Sequence, residues 1–375
     1  MTNDEIVAKV QPRIYSAVKV PIEDRVPLKT PFSVHIDVSS ICNYRCSFCF
    51  QADNRAMKKV DLKRGKMSVE MFKKIVNDLA EFPEKIKKIK IGNHGEPTLH
   101  QDLPEMIKYA KEKNVAEIIE IFTNGSKLTP ELNRALVDAG LQRINVSIEG
   151  LSDERYMQVA GVKQNFNEIV EGVRHLHSIK GPELTIYVKI ADQTSALDKG
   201  NNTTFILDET ERQYFFDTFG GICDEIFIEK IVPQWAETQL DKQNEVAKTG
   251  MYNQKIKKYK DICPFTFMYL HFNCDGQTSP CTLDWPRKVV IGNVNEQSVK
   301  EIWEGKSLHQ LRVAMLKGRR EQINFCNNCS APMVCVDEDL DPHKEKVLAA
   351  LNALDESLDD NEWIQSNEWK IKEIL

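Results

Sequence analysis

The chain has ten cysteines, yet none lies between residues 50 and 222. No apolar run approaches the roughly 20 residues that cross a bilayer. Basic residues are not in excess: 50 Lys and Arg stand against 56 Asp and Glu, for a net charge of -6. The first segment, MTNDEIVAKVQPRIYS, has no basic stretch followed by an apolar one. Each lack excludes something. Without a span or a leader-like segment, the expectation is a cytoplasmic protein with no membrane partner. Without a basic field, no nucleic-acid partner is expected. In a reducing cytosol the cysteines are not expected to form disulfides, so metal binding or catalysis is the better reading. Their spacing is uneven: three at 42, 46 and 49, one at 223, and six between 263 and 335. Two clusters on either side of a cysteine-free body predict two metal-bearing regions.

What is present has a regular order. A length of 375 residues with 41% hydrophobic content suits one large domain, or one large and one small. Strands are expected at 32–38, 87–92, 117–122, 142–148, 184–190 and 224–229. Helices are expected at 68–80, 102–113, 130–140, 165–179 and 208–218. In the first helix, Ser68 is a suitable N-cap, and Phe72, Ile75, Val76 and Leu79 share one face. Strand–helix repeats of this kind predict right-handed βαβ units and a parallel sheet. The fold class is α/β: a partial (β/α)6 barrel with a small cysteine-rich C-terminal domain. Chemistry on such a sheet gathers at the C-terminal ends of the strands. Residues 195–207 and 235–260 read as loops over the barrel mouth. Residues 341–375, with Trp363 and Trp369, read as an acidic helical cap.

Directly after the first strand stands ICNYRCSFCF, that is Cys42-x3-Cys46-x2-Cys49. Thiolates are the usual ligands of iron–sulfur clusters, and a [4Fe–4S] cube normally takes four. Three leave one iron open for a reactant. The alternatives are a zinc site, for which this spacing is uncommon, and three unrelated buried thiols.

This segment, with Phe48 before its last cysteine, resembles the signature of the radical S-adenosylmethionine (SAM) superfamily. The resemblance implies a [4Fe–4S] cluster on Cys42, Cys46 and Cys49, and SAM bound at the open iron. It also implies cleavage of SAM to a 5′-deoxyadenosyl radical that takes a hydrogen atom from the substrate. Other segments resemble the same family. Gly92-Asn93-His94-Gly95-Glu96-Pro97 is similar to its GGEP motif, with His94 in place of the first glycine, so Gly95 and Glu96 are implied SAM contacts. Thr123-Asn124-Gly125 is similar to its TNG, and Ser147-Ile148-Glu149-Gly150 to its S-[IL]-[DE]-G. Phe48, Asn124, Ser147 and Lys189 join the implied SAM site; an Asn-Gly turn and a plain surface lysine are the bland readings of two of them.

The second group runs Cys263-x10-Cys274-x6-Cys281, then Cys326-x2-Cys329-x5-Cys335. With IGNVNEQSVKEIW between its halves, it resembles the SPASM extension of radical SAM enzymes. The chain departs from the full pattern: Asp339 stands at the next ligand position, and no cysteine follows Cys335. Six cysteines cannot supply the eight thiolates of two cubes. Either one auxiliary cluster uses Cys263, Cys281 and two of the later three, or two clusters hold three each, with Asp337, Asp339 or substrate completing one. A zinc ribbon is the remaining reading. Cys223 reads as a buried structural thiol. The implied division is 1–31 N-terminal extension, 32–235 barrel, 236–262 linker, 263–340 auxiliary-cluster domain and 341–375 cap.

The resemblance implies an enzyme that oxidises its substrate with an auxiliary cluster as electron acceptor. It also implies a reducing partner such as flavodoxin or ferredoxin. Only 41 residues precede Cys42, too few for a fused peptide-recognition domain, which favours a small alcohol, sugar or amino-acid-like substrate. A peptide- or protein-modifying maturase is the alternative, and a non-enzymatic zinc protein the remote one. Asp284, three residues after Cys281, and Glu229, at the end of the sixth strand, are the candidate catalytic acids or bases.

Overall fold

The structure is a computed structural model, which describes residues 8–13, 20–60, 62, 64–197, 203–238, 249–256 and 260–352. Trp363 and Trp369, and the expected cap from 353 onward, lie outside the described residues.

Twelve strands are numbered in chain order. The six expected ones are β2 (Ser33–Ile36), β3 (Ile86–Ile91), β4 (Ala116–Thr123), β5 (Arg143–Ile148), β6 (Thr185–Ala191) and β9 (Glu225–Glu229). They lie side by side in the order β2-β3-β4-β5-β6-β9, all parallel. Side chains alternate across a strand, which explains the arrangement. Val34, Ile36, Ile89, Ile91, Ile121 and Ile144 are fully buried in the core. The alternate positions His35, Lys88, Lys90, Phe122, Ser147 and Lys189 line a cavity of about 1020 Å³ that the sheet curls around. The sheet is therefore an incomplete barrel whose interior is polar.

The five expected helices are Val69–Leu79, Leu103–Lys113, Pro130–Asp138, Phe166–Ile179 and Glu209–Phe219. Ser68 accepts a hydrogen bond from the Met71 amide, and the expected face of Phe72, Ile75, Val76 and Leu79 is buried. Thr129, Asn165 and Asp208 cap three of the others in the same way.

The sheet extends further than expected at both edges. At one edge, β1 (Lys9–Val10) runs parallel to β9. At the other, β10 (Tyr269–Phe272) runs parallel to β2, followed by antiparallel β11 (Gln277–Ser279) and β12 (Gly292–Asn293). The second cysteine region is thus joined to the strand that precedes the first. Residues 195–207, expected as a loop, include the hairpin β7 (Gln193–Ser195) and β8 (Thr204–Ile206), with 198–202 outside the described residues. Helices outside the expected set include Asn54–Lys59, Asp153–Ala160, Val299–Trp303 and Lys306–Leu316. Among the described residues, no helix is long and apolar enough to cross a membrane.

Candidate active site

The loop after β2 carries Cys42, Cys46 and Cys49, all half-buried. Cys42 Sγ accepts from the Tyr44 amide at 3.4 Å and from Asn124 Nδ2 at 3.9 Å. The His94–Pro97 segment lies against this loop, with the Glu96 amide donating to Ile41 O at 2.9 Å. Gly95 permits that approach, since a Cβ there would sit 2.2 Å from Ser39 O and 2.8 Å from Ile41 O. Glu96 is buried, and both oxygens of its carboxylate accept hydrogen bonds within the protein. One oxygen accepts from the Thr98 amide at 3.0 Å, Thr98 Oγ1 at 2.6 Å and Thr123 Oγ1 at 2.7 Å; the other accepts from the Asn124 amide at 2.7 Å. Burial pushes its pKa up, and these donors oppose the rise. Glu96 thus ties the ends of β3 and β4 together and aims Asn124 at Cys42.

Farther round the barrel, Ser147 of β5 and Lys189 of β6 are register partners. Lys189 Nζ donates to Glu229 Oε2 at 2.6 Å, so two residues expected in separate roles form one ion pair. Arg13 Nε stands 3.9 Å from the other Glu229 oxygen. Burial alone would raise the Glu229 pKa, but Lys189 and Arg13 outweigh it and hold the carboxyl below its usual range. Phe48, Ser147, Glu149, Lys189 and Glu229 all line the cavity. Burial raises Glu149 to about 7.

Asp284 is placed differently. It is buried, and its oxygens accept from the Lys288 amide at 2.9 Å and the Val289 amide at 2.7 Å. Burial raises its pKa to about 6. The residues lining the cavity include Thr282 and Leu283 but not Asp284. Its carboxylate closes a turn.

The sequence reading missed a buried polar group at the junction of the two cysteine regions. Asp37 Oδ2 stands 2.7 Å from His271 Nε2 and 3.1 Å from His94 Nδ1, and Asp37 Oδ1 accepts from the His94 amide at 3.2 Å. His94 Nε2 reaches the Thr282 carbonyl at 2.5 Å. The His94 ring also meets Phe50 edge-on at 5.2 Å, and Phe50 stacks on Trp285 at 5.1 Å. The histidine that replaces a motif glycine therefore links the first cysteine loop to the loop after Cys281. The period-2 pattern His35-x-Asp37, just before the cysteines, was the available signal for part of this group.

The auxiliary thiols divide. Burial raises those of Cys263, Cys281, Cys326 and Cys335, and Cys281 and Cys326 are raised further by the charges of Cys263 and Cys329. Cys335 also lies near Cys329 and Cys263, and it lines the cavity. Cys274 stands apart: its thiol donates to Ser40 Oγ at 3.4 Å. Asp339 accepts from the Asp341 amide at 3.1 Å, closing a local turn. Cys223 is buried before β9, and burial lifts its pKa to about 12.

These donors fit iron–sulfur clusters better than zinc. A tetrahedral zinc with sulfurs at about 2.3 Å draws its ligands to within about 4 Å of one another. Among the described residues, the trio of metal-binding side chains within 4.8 Å of one another is Asp37, His94 and His271, not three cysteines. Burial raises Cys42 to about 11 and Cys49 to about 12, and Cys46 is raised too, with Glu149 adding to each. Thiols so placed need a multivalent cation to ionise. Cys42, Cys46 and Cys49 would hold the SAM-binding cluster; Cys263, Cys281, Cys326 and Cys329, with Cys335 beside them, would hold an auxiliary one.

A parallel partial barrel with three thiols at the end of one strand, and further thiols docked on its edge, defines an iron–sulfur enzyme. A family model described as "Radical SAM superfamily" matches residues 36–194, and SPASM, described as "Iron-sulfur cluster-binding domain", matches residues 263–330. The chain belongs to the radical SAM superfamily and carries a SPASM domain. These domains imply a [4Fe–4S] cluster, SAM and auxiliary iron–sulfur clusters. The chain is 33% identical over 151 residues to a probable GTP 3′,8-cyclase of Thermococcus kodakarensis, covering 40% of this chain and 46% of that one. It is 23% identical over 308 residues to the S-adenosyl-L-methionine-dependent 2-deoxy-scyllo-inosamine dehydrogenase of Niallia circulans, covering 82% and 96%. Its fold is similar to that of Streptococcus suis SuiB bound to S-adenosylmethionine, with a TM-score of 0.54 at 13% identity, covering 82% and 72%.

Proposed function

We propose that this enzyme dehydrogenates a small alcohol, sugar or amino-acid-like substrate held in the barrel cavity. The carrying observation is one continuous cavity of about 1020 Å³ that touches Phe48 and Ser147 at the first cluster's side, Glu229 on the wall and Cys335 at the auxiliary side. Cys42, Cys46 and Cys49 would hold the cluster that, with SAM, would supply a hydrogen-abstracting radical, and Cys263, Cys281, Cys326 and Cys329 would hold the auxiliary cluster that would take up the second electron. The chain's own residues do the rest. Gly95 and Glu96 fix the loop that faces SAM. Glu229, ionised beside Lys189, accepts the proton of the substrate hydroxyl, so loss of a hydrogen atom, a proton and an electron leaves a carbonyl. Similarity to the dehydrogenase over nearly its whole length supports this reading.

The test is anaerobic reconstitution, reduction and measurement of 5′-deoxyadenosine. The expected result is SAM cleavage that disappears when Cys42, Cys46 and Cys49 are all changed to Ala. Cleavage that persists in the triple variant would overturn the assignment.

A further inference from the structure

The cavity continues below Ser147 and Lys189, toward the N-terminal ends of the strands, where Lys88 and Lys90 join Arg13 on its wall. Two groups of ion pairs lie around it. Glu120 faces Lys88, Lys90 and Arg143 at 3.7–3.9 Å; Arg143 also pairs with Glu225 at 2.6 Å; Glu229 serves both Lys189 and Arg13. Five cations thus share three carboxylates. Asp337 and Glu338, also lining the cavity, come from the loop after Cys335.

Three donors on this wall have unused capacity. Asn93 Nδ2 lies 3.1 Å from His35 Nδ1, so that nitrogen accepts and Nε2 carries the hydrogen. His35 is 7% exposed, lines the cavity, and its Nε2 has no hydrogen-bond partner. Arg13 spends Nη2 on Tyr252 Oη at 2.7 Å, while its buried Nε makes no hydrogen bond and stands 3.9 Å from Glu229 Oε1. Lys90, the register partner of His35, comes no nearer than 3.9 Å to Glu120. Tyr269 packs edge-on to His35 at 5.4 Å and holds the ring in place. Buried donors without acceptors are costly, and such a site is stabilised when a ligand brings the acceptors.

We propose that Arg13, His35 and Lys90 form a subsite for an anionic oxygen group of the substrate, a carboxylate or a phosphate monoester. The inference rests on the reading of this cavity as the substrate site. Arg13 supplies the planar fork suited to either group, His35 a neutral donor, and Lys90 a point charge. The substrate's anionic end then sits deep in the barrel, with its oxidisable carbon nearer Ser147 and Lys189.

The test titrates reconstituted full-length protein with inorganic phosphate and, separately, with acetate. At least one should bind, and its affinity should fall about tenfold in both Arg13→Gln and His35→Phe. His35→Phe keeps the ring packing on Tyr269, and iron content checks that each variant is folded. Lys108→Gln, on an outer helix, should match the unaltered protein. Binding of phosphate alone identifies a phosphate-bearing substrate, and binding of acetate alone a carboxylate. Binding of neither, or affinity in Arg13→Gln and His35→Phe unchanged from the unaltered protein, or the same weakening in Lys108→Gln, overturns the proposal. SAM cleavage by the unaltered protein is scored separately, so a failed titration with cleavage intact removes the subsite and leaves the radical reading in place.

Discussion

The two cysteine regions are built by opposite means. Cys42, Cys46 and Cys49 lie within eight residues of one loop, and the Gly95 and Asn124 loops close onto it from neighbouring strands. The auxiliary thiols come from residues 263 to 335 and meet because β10 joins β2 and the following hairpin extends the sheet. Spacing alone specifies the first site. The second depends on which thiols the fold turns inward, and there Cys274 faces Ser40 instead. Local chemistry can be read from a string of residues, whereas ligand choice across 70 residues is a tertiary matter.

The sharpest way to break this contrast is to remove auxiliary cysteines singly. Cys281→Ala and Cys326→Ala should each lose the auxiliary cluster, about four irons per chain, and with it all product formation. Cys274→Ala should keep its iron. Iron loss in Cys274→Ala would return that residue to the ligand set.

A second comparison concerns the two carboxylates, one facing the cavity and one closing a turn. Glu229→Gln should slow substrate oxidation by about 10²–10⁴-fold, the range for loss of a positioned base. Asp284→Asn should lower the melting temperature and change the rate little. Equal rate losses in the two variants would end the distinction.

At the first site, Gly95→Ala places a methyl group 2.2 Å from a backbone oxygen. It should cost about 1–3 kcal/mol of stability, as overpacking does, and weaken SAM binding by at least about tenfold, as seen by titration. Normal SAM affinity would show that the loop tolerates displacement.

The smallest expected effect is on stability against pH. Burial first, then neighbouring cations, lower the Lys90 pKa from 10.5 to about 8. The folded state therefore releases this proton earlier than the unfolded state, and stability contributed by Lys90 rises with pH between about 8 and 10.5. Lys90→Met should raise the melting temperature by a few degrees at pH 7 and by less at pH 10. An equal gain at both would show that Lys90 carries no such strain.

The sequence revealed the six central strands and five main helices because their apolar positions repeat at the right period and their caps are explicit, as at Ser68 and Asp208. It also pointed to Lys189 and Glu229, though not to their pairing, which needs β6 beside β9. It did not reveal Arg13, which enters the barrel from a segment joined to the sheet through the two-residue strand β1. Nor did it reveal the Asp37–His94–His271 group, whose members are 57 and 177 residues apart in sequence and adjacent only once β10 lies on β2. Charged residues at barrel positions read as exposed in a linear pattern; an inner face that partly shelters them is a property of the curled sheet.

The most direct test of the two-site account is the iron content and Mössbauer spectrum of the protein in which Cys42, Cys46 and Cys49 are all Ala. The account predicts a brown protein with one [4Fe–4S] cluster, about four irons per chain, and no SAM cleavage. A colourless protein with stoichiometric zinc, or about eight irons, would contradict it.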